Sequence, residues 1–222
     1  SFRLEMNPFL RFGGENILAV RLENPANSSR WYPGSGLYRN VWLVKTSPIH
    51  VAHWGTFVTT PQVSKDQATI HVKTIIDNQS TEPAEVTVQA EIYELGKNLK
   101  LVSLPDKKVR VAAGKSAGCE TEGYLPSPKL WDVGSANLYY LQTSIQKNKN
   151  SVDSYQTIFG IRTIEFTPDQ GFLLNGKRVR LNGVCNHHDL GLLGTAVNIR
   201  AMQRQIEILQ EMGGNAIRTS HN

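Results

Sequence analysis

Residues 182–222 read NGVCNHHDLGLLGTAVNIRAMQRQIEILQEMGGNAIRTSHN, and the fold turns on this stretch. Asn182-Gly183-Val184-Cys185-Asn186 is a short strand-type run. A helix is expected next, with Asn198 as its N-cap and Ile199, Met202, Ile206, Leu209 and Met212 along one face at spacings of three and four. Gly213-Gly214 supplies its C-terminal cap, and Asn215-Ala216-Ile217-Arg218 resumes extended structure. Strand, helix, strand is one βαβ unit, which needs neighbours on both sides to satisfy its sheet edges and bury both faces. The unit therefore reads as the opening of a larger parallel α/β domain.

Working outward, Phe172-Leu173-Leu174 and Lys177-Arg178-Val179-Arg180-Leu181 flank Asn175-Gly176, a strong hairpin signal. Upstream of Phe159-Gly160-Ile161-Arg162 the character is all-β. Runs such as Ala68-Thr69-Ile70-His71-Val72-Lys73 and Val86-Thr87-Val88-Gln89-Ala90 alternate with the turn signals Asp77-Asn78 and Ala113-Gly114-Lys115. Their spacing of about ten residues over 48–162 predicts an immunoglobulin-like sandwich of about seven strands. Ile17-Leu18-Ala19-Val20-Arg21-Leu22 and Val41-Trp42-Leu43-Val44 are expected to be strands as well. Residues 1–47 thus hold about three strands, too few for a sandwich of their own. Of the aromatic cluster, Trp42 is expected to fill a core or a domain boundary, whereas Trp31-Tyr32 in its Pro/Gly-rich loop suits packing and sugar stacking equally.

Composition narrows the function classes. The 222 residues are 40% hydrophobic and 19% charged, outside the range of a disordered chain, and no apolar run of about 18 residues offers a membrane span. Cys119 and Cys185 are too few for a disulfide framework or a four-cysteine zinc site. The formal charge of +5 divides as +3 over residues 1–47, 0 over 48–160 and +2 over 161–222. So dispersed an excess argues against nucleic acid. Lys107-Lys108-Val109-Arg110, the densest basic stretch, reads as a solvated strand edge. The chain opens on Ser1-Phe2-Arg3 with no signal-peptide order.

Three of the six histidines, His187, His188 and His221, fall just past the two parallel strands. In parallel α/β folds the C-terminal strand ends are where binding and catalytic groups collect. His187 and His221 should reach one rim, joined by Asp189 and Arg218, giving donors, acceptors and a fixed positive charge. Adjacent strand residues point to opposite faces, so His187 and His188 do not suit a single metal ion.

Asn215-Ala216-Ile217-Arg218-Thr219-Ser220-His221 closely resembles the signature segment of glycoside hydrolase family 2, the family of β-galactosidases, β-glucuronidases and β-mannosidases. Three more segments, in order, resemble that family. Trp31 through Leu43 (WYPGSGLYRNVWL) is similar to the end of its sugar-binding jelly roll, Phe159-Gly160-Ile161-Arg162 to the exit from its immunoglobulin-like domain, and Phe172 through Asp189 to the start of its (β/α)8 barrel. The resemblance implies a multi-domain, mainly β chain: residues 1–47 as the C-terminal part of a jelly roll, 48–162 as a complete immunoglobulin-like sandwich, and 163–222 as the N-terminal start of a TIM barrel.

It further implies that His187 and His221 hydrogen-bond sugar hydroxyls and that Arg218 holds a nucleophilic carboxylate ionised and oriented, where a bidentate guanidinium suits better than an ammonium. Asn186-His187-His188-Asp189-Leu190-Gly191 with Ser220-His221-Asn222 resembles a galactosidase-type subgroup. Many members carry Tyr in place of Asn222, Asn in place of Cys185, and Pro within the Gly134-Ser135-Ala136 loop.

Retaining hydrolysis of a glycosidic bond needs two carboxylates about 5 to 5.5 Å apart. Of the acids after residue 161, Glu165 and Asp169 precede the first barrel strand and Glu207 and Glu211 lie on the helix, so only Asp189 is expected at the pocket. The resemblance places both catalytic carboxylates beyond Asn222; the 222-residue segment alone is expected to be inactive and its intact parent active. No cofactor is called for by the residues. A divalent cation in the intact enzyme, a homo-oligomer and periplasmic export are compatible with the resemblance. The competing reading is a non-catalytic carbohydrate-binding or scaffolding module; the codons after Asn222 discriminate, since the enzyme continues with strand and helix repeats carrying two strand-end Glu residues.

Overall fold

The computed structural model describes residues 3–27, 36–187 and 189–219. Eight strands, β1 (Ile49–Thr59), β2 (Gln67–Asn78), β3 (Ala84–Glu94), β4 (Leu99–Ser103), β5 (Lys107–Val111), β6 (Lys115–Pro126), β7 (Tyr139–Lys147) and β8 (Asn150–Phe159), form the central sandwich. One sheet runs β1-β2-β6 and the other β4-β3-β7-β8, with β5 pairing the same edge of β3 as β4. All pairings are antiparallel. This is the immunoglobulin-like arrangement expected from the turn spacing, with one strand more because residues 99–111 fold as two short edge strands along β3.

Period-two alternation carries the core. Ala84, Val86, Val88, Ala90 and Ile92 of β3 all point inward, as do Ala68, Ile70, Val72 and Ile76 of β2. They meet Leu141 and Ile145 of β7 and Leu125 of β6 in two clusters that fill the space between the sheets. Each buried Ile or Leu contributes on the order of 1.5–3 kcal/mol by leaving water. In β5, Val109 and Val111 face in while Lys108 and Arg110 stay exposed, so the basic stretch is the solvated edge anticipated for it.

Buried polar groups are placed at the turns. Asn78 donates to the carbonyls of Glu82 (2.8 Å) and Val111 (3.2 Å) and accepts from the Ser80 backbone N–H and hydroxyl, fixing the β2–β3 corner. Tyr139, at the start of β7, is buried, and its hydroxyl accepts from Lys129 N–H (2.7 Å) and donates to Lys129 C=O (3.2 Å). Burial pushes this phenol's pKa up. The contact ties the chain ten residues upstream, as a tyrosine corner does in this fold. In the edge strand β1 the register breaks between Val51 and Thr56, where Trp54 is exposed at φ 53°.

Residues 3–27 and 36–48 differ from expectation. Asn7–Phe9 forms one 3-10 turn, and no strand occurs among the described residues before β1. The runs Ile17–Leu22 and Val41–Val44 form no strand, and Trp42, expected in a core or at a domain boundary, is 77% exposed. The physical reason is that two or three β-type runs cannot satisfy their edges or cover one apolar face without partner strands. Trp31 and Tyr32 lie outside the described residues.

After the sandwich, β9 (Ile164–Thr167), β10 (Gly171–Leu174) and β11 (Lys177–Arg178) make a small antiparallel sheet. Asn175 (φ 51°) and Gly176 (φ 72°) turn the hairpin, both in the left-handed region that a type I′ turn demands. The Asn175 side chain accepts from Thr163 N–H (3.0 Å) and donates to Trp131 C=O (2.9 Å), while Trp131 N–H donates to Ile161 C=O (2.8 Å). Ile161 belongs to the sandwich core, so the Asn-Gly turn also clasps the exit from the sandwich.

The chain closes with β12 (Gly183–Asn186), α1 (Ile199–Glu211) and β13 (Ala216–Thr219), the two strands pairing in parallel. The Asn198 side chain caps α1 by accepting from Ala201 N–H at 2.8 Å, and Gly213 (φ 84°) ends it. Most of the expected apolar face is uncovered: Ile199 is 72% and Met212 73% exposed, and of its five residues only Leu209 is partly buried. A two-stranded sheet is too narrow to cover a helix face, and the partly buried stripe is instead Ala201, Gln205 and Leu209, spaced four apart.

Candidate functional site

The parallel pair sets the geometry. Gly183, Val184, Cys185 and Asn186 of β12 align with Ala216, Ile217, Arg218 and Thr219 of β13. The Asn186 side chain donates to Gln205 Oε1 of α1 at 3.1 Å, so the Asn186 face is the helix side. Strand alternation then turns Cys185, and with it its register partner Arg218, to the opposite face. In a barrel with helices outside, that face is the lumen.

His187 directly follows Asn186 and lies, with Arg218, at the C-terminal end of the pair. His187 and Asp189 are half-buried, and Asp189 N–H donates to His187 C=O at 2.9 Å. Arg218 is exposed and carries a permanent charge. His187 and Asp189 thus follow the C-terminal end of β12 and Arg218 lies near that of β13, whereas His188 and His221 lie outside the described residues.

The remaining acids of this region are elsewhere. Glu207 pairs with Arg200 on the exposed side of α1 (2.8 Å), and this hydrogen bond holds its carboxyl below the usual range. Glu165 is exposed on β9 and Asp169 in the turn that follows. Among the described residues no cluster of three or more His, Cys, Asp and Glu could hold a metal ion, and no helix is long and apolar enough to cross a membrane.

A cavity of about 180 Å³ lies at the other end of the strands, between Asn182, Gly183 and Ala216 and the Leu209–Gly214 end of the helix. That end of a parallel barrel serves packing, and chemistry belongs to the opposite one, so the cavity is not the candidate site. Asn215, first residue of the Asn-Ala-Ile-Arg run, has a structural part here. Its side chain accepts from Asn182 N–H (2.8 Å) and donates to Arg180 C=O (2.9 Å), fixing the start of both strands.

Gln205 was not singled out in the sequence. Its Nε2 donates to Asp189 C=O at 3.2 Å while its Oε1 takes the Asn186 amide. The signal was a polar residue four positions from both Ala201 and Leu209, on the stripe that meets the strands.

Two sequence models match the chain consecutively: glycosyl hydrolases family 2 over residues 49–162, and the TIM barrel domain of the same family over residues 165–222. The chain belongs to glycosyl hydrolase family 2. Among relatives of this family, a β-galactosidase of Bacteroides ovatus is 43% identical over 223 residues, covering 100% of this chain and 26% of its own length. A β-glucuronidase of Bacteroides fragilis is 27% identical over 234 residues, covering 100% of this chain and 33% of its own. The chain therefore spans about a quarter to a third of these curated relatives. Of solved structures, a β-glycosidase of Bacteroides vulgatus is 32% identical with a TM-score of 0.76, covering 86% of this chain and 24% of that one. A β-glucuronidase of Bacteroides uniformis is 31% identical with the same TM-score of 0.76, covering 84% and 23%. The family 2 chain is mainly β with the start of a TIM barrel, in agreement with the resemblance of its motifs.

Proposed function

We propose that this chain is part of a retaining glycoside hydrolase that removes terminal non-reducing β-linked sugars, β-D-galactosides first among them. The observation that carries the reading is the 43% identity to a β-galactosidase across the whole chain, which includes the His187 and Arg218 rim. In this reading one carboxylate attacks the anomeric carbon and another protonates the leaving oxygen. Water then hydrolyses the glycosyl-enzyme with the second group acting as base. Both carboxylates come from residues beyond Asn222. This chain supplies groups around them: His187 and His221 hydrogen-bond sugar hydroxyls as charge develops, Asp189 accepts from one, and Arg218 keeps the nucleophile ionised. Residues 1–47 complete a jelly roll with partner strands of the parent.

The similarity to β-glucuronidases makes a uronic acid the second candidate sugar. A panel of aryl β-glycosides against the intact parent separates the two. Preference for the galactoside, with β-configured product released first by NMR, supports the reading; preference for the glucuronide replaces the sugar, and absence of turnover on every aryl glycoside favours a non-catalytic sugar-binding module.

A further inference from the structure

The residues on both sides of His187 are tied to one side chain, Asn186 through its side-chain amide and Asp189 through its backbone carbonyl. Gln205, half-buried in the middle of α1, accepts from the Asn186 amide (3.1 Å) and donates to Asp189 C=O (3.2 Å). Asn186 immediately precedes His187, Asp189 follows two residues later, and Asp189 N–H closes the turn onto His187 C=O. A backbone carbonyl only accepts, so the Gln205 end facing Asp189 is its NH2, its oxygen faces Asn186, and Asn186 must present its own NH2. The arrangement is directional. Helix-to-strand packing on this stripe is served by Ala201 and Leu209 one turn to either side, neither of which offers a hydrogen bond.

We infer that Gln205 is a positioning residue for His187, fixing Asn186 and Asp189 on either side of it so that the imidazole is aimed at the sugar. The inference rests on the glycosidase reading above. A group that binds hydroxyls more strongly in the transition state must be held to within a fraction of an ångström, which calls for a tie to a rigid element. The α1 helix supplies it through two amide hydrogen bonds.

The test uses the intact enzyme and two variants of similar size. Gln205→Glu keeps the acceptor for Asn186 but, ionised, cannot donate to Asp189 C=O, and Gln205→Met makes neither bond. Both are expected to lower kcat by roughly tenfold or more with KM changed by less than about threefold. The kcat ratio of Gln205→Glu to wild type should recover as pH falls and the introduced carboxyl takes up a proton, since the acid form donates again. In a His187→Ala background neither substitution should slow the enzyme further, because the positioned group is gone.

Wild-type kcat in both variants overturns the inference, and so does a loss that multiplies with that of His187→Ala. If Gln205→Glu does not fold, Gln205→Met and its combination with His187→Ala decide alone. Turnover by the wild type with full-rate variants removes the inference and leaves the glycosidase reading. No turnover by the wild type removes both.

Discussion

Gly183 and Ala216 are register partners at the start of the parallel pair, and a Cβ on Gly183 would stand 2.5 Å from the Ala216 carbonyl oxygen. Glycine is required there by close approach of two backbones, with the rest of β12 and its rim residues built on that contact. Gly183→Ala is expected to break the β12–β13 pairing and leave the sandwich intact. Hydrogen exchange checks this: amide protection over residues 184–186 and 216–219 should disappear while β2, β3 and β7 keep theirs.

Tyr139→Phe removes a buried hydroxyl that satisfies both backbone groups of Lys129. The cost should be about 1–2 kcal/mol in urea unfolding of the chain, because the part-buried Lys129 N–H and C=O each lose a partner. Tyr124→Phe, at an exposed position on β6, should stay within about 0.5 kcal/mol.

Acid should weaken the sandwich through two carboxylates. The Glu91 pKa is lowered chiefly by the Tyr93 hydroxyl and then by Lys100, and the Glu94 pKa chiefly by Lys129 and then by Lys97. A carboxyl with a folded pKa below its unfolded value of about 4.3 stabilises above that value, and the contribution is lost as pH falls through the folded pKa. The urea midpoint should therefore fall as pH drops below about 4.5, and the double substitution Glu91→Gln with Glu94→Gln should flatten that slope.

The two thiols should separate by access. Cys185 is exposed, whereas Cys119 is partly buried and burial pushes its thiol up. Iodoacetamide should label Cys185 in the folded chain and Cys119 mainly after unfolding, as read by peptide mass spectrometry.

Elements whose partners lie close in sequence were the most legible. The Asn175-Gly176 turn, the Asn198 cap and the alternation along β2 and β3 all follow from spacings within one or two elements. Ile17–Leu22 and Val41–Val44 depart from the expected strands, and Trp42 from its expected burial, because a strand exists only with a neighbour, and these runs have none among the described residues. Along α1 the 3.6 period identifies the apolar positions, but the width of the sheet beneath decides that only Leu209 of them is partly covered. The strand ends beside which His187, Asp189 and Arg218 lie follow from the strand-helix-strand order of residues 182–222. The part of Gln205 does not, since it depends on a strand-to-helix contact that sequence spacing alone does not give.

We propose that this chain contributes the first rim of a sugar pocket whose two catalytic carboxylates come from residues beyond Asn222. Side-by-side turnover of a nitrophenyl β-galactoside by the purified 222-residue chain and by the intact parent tests it most directly. Release of nitrophenol by the parent and none above background by the chain is expected; turnover by the chain itself, or none by the parent, would contradict the proposal.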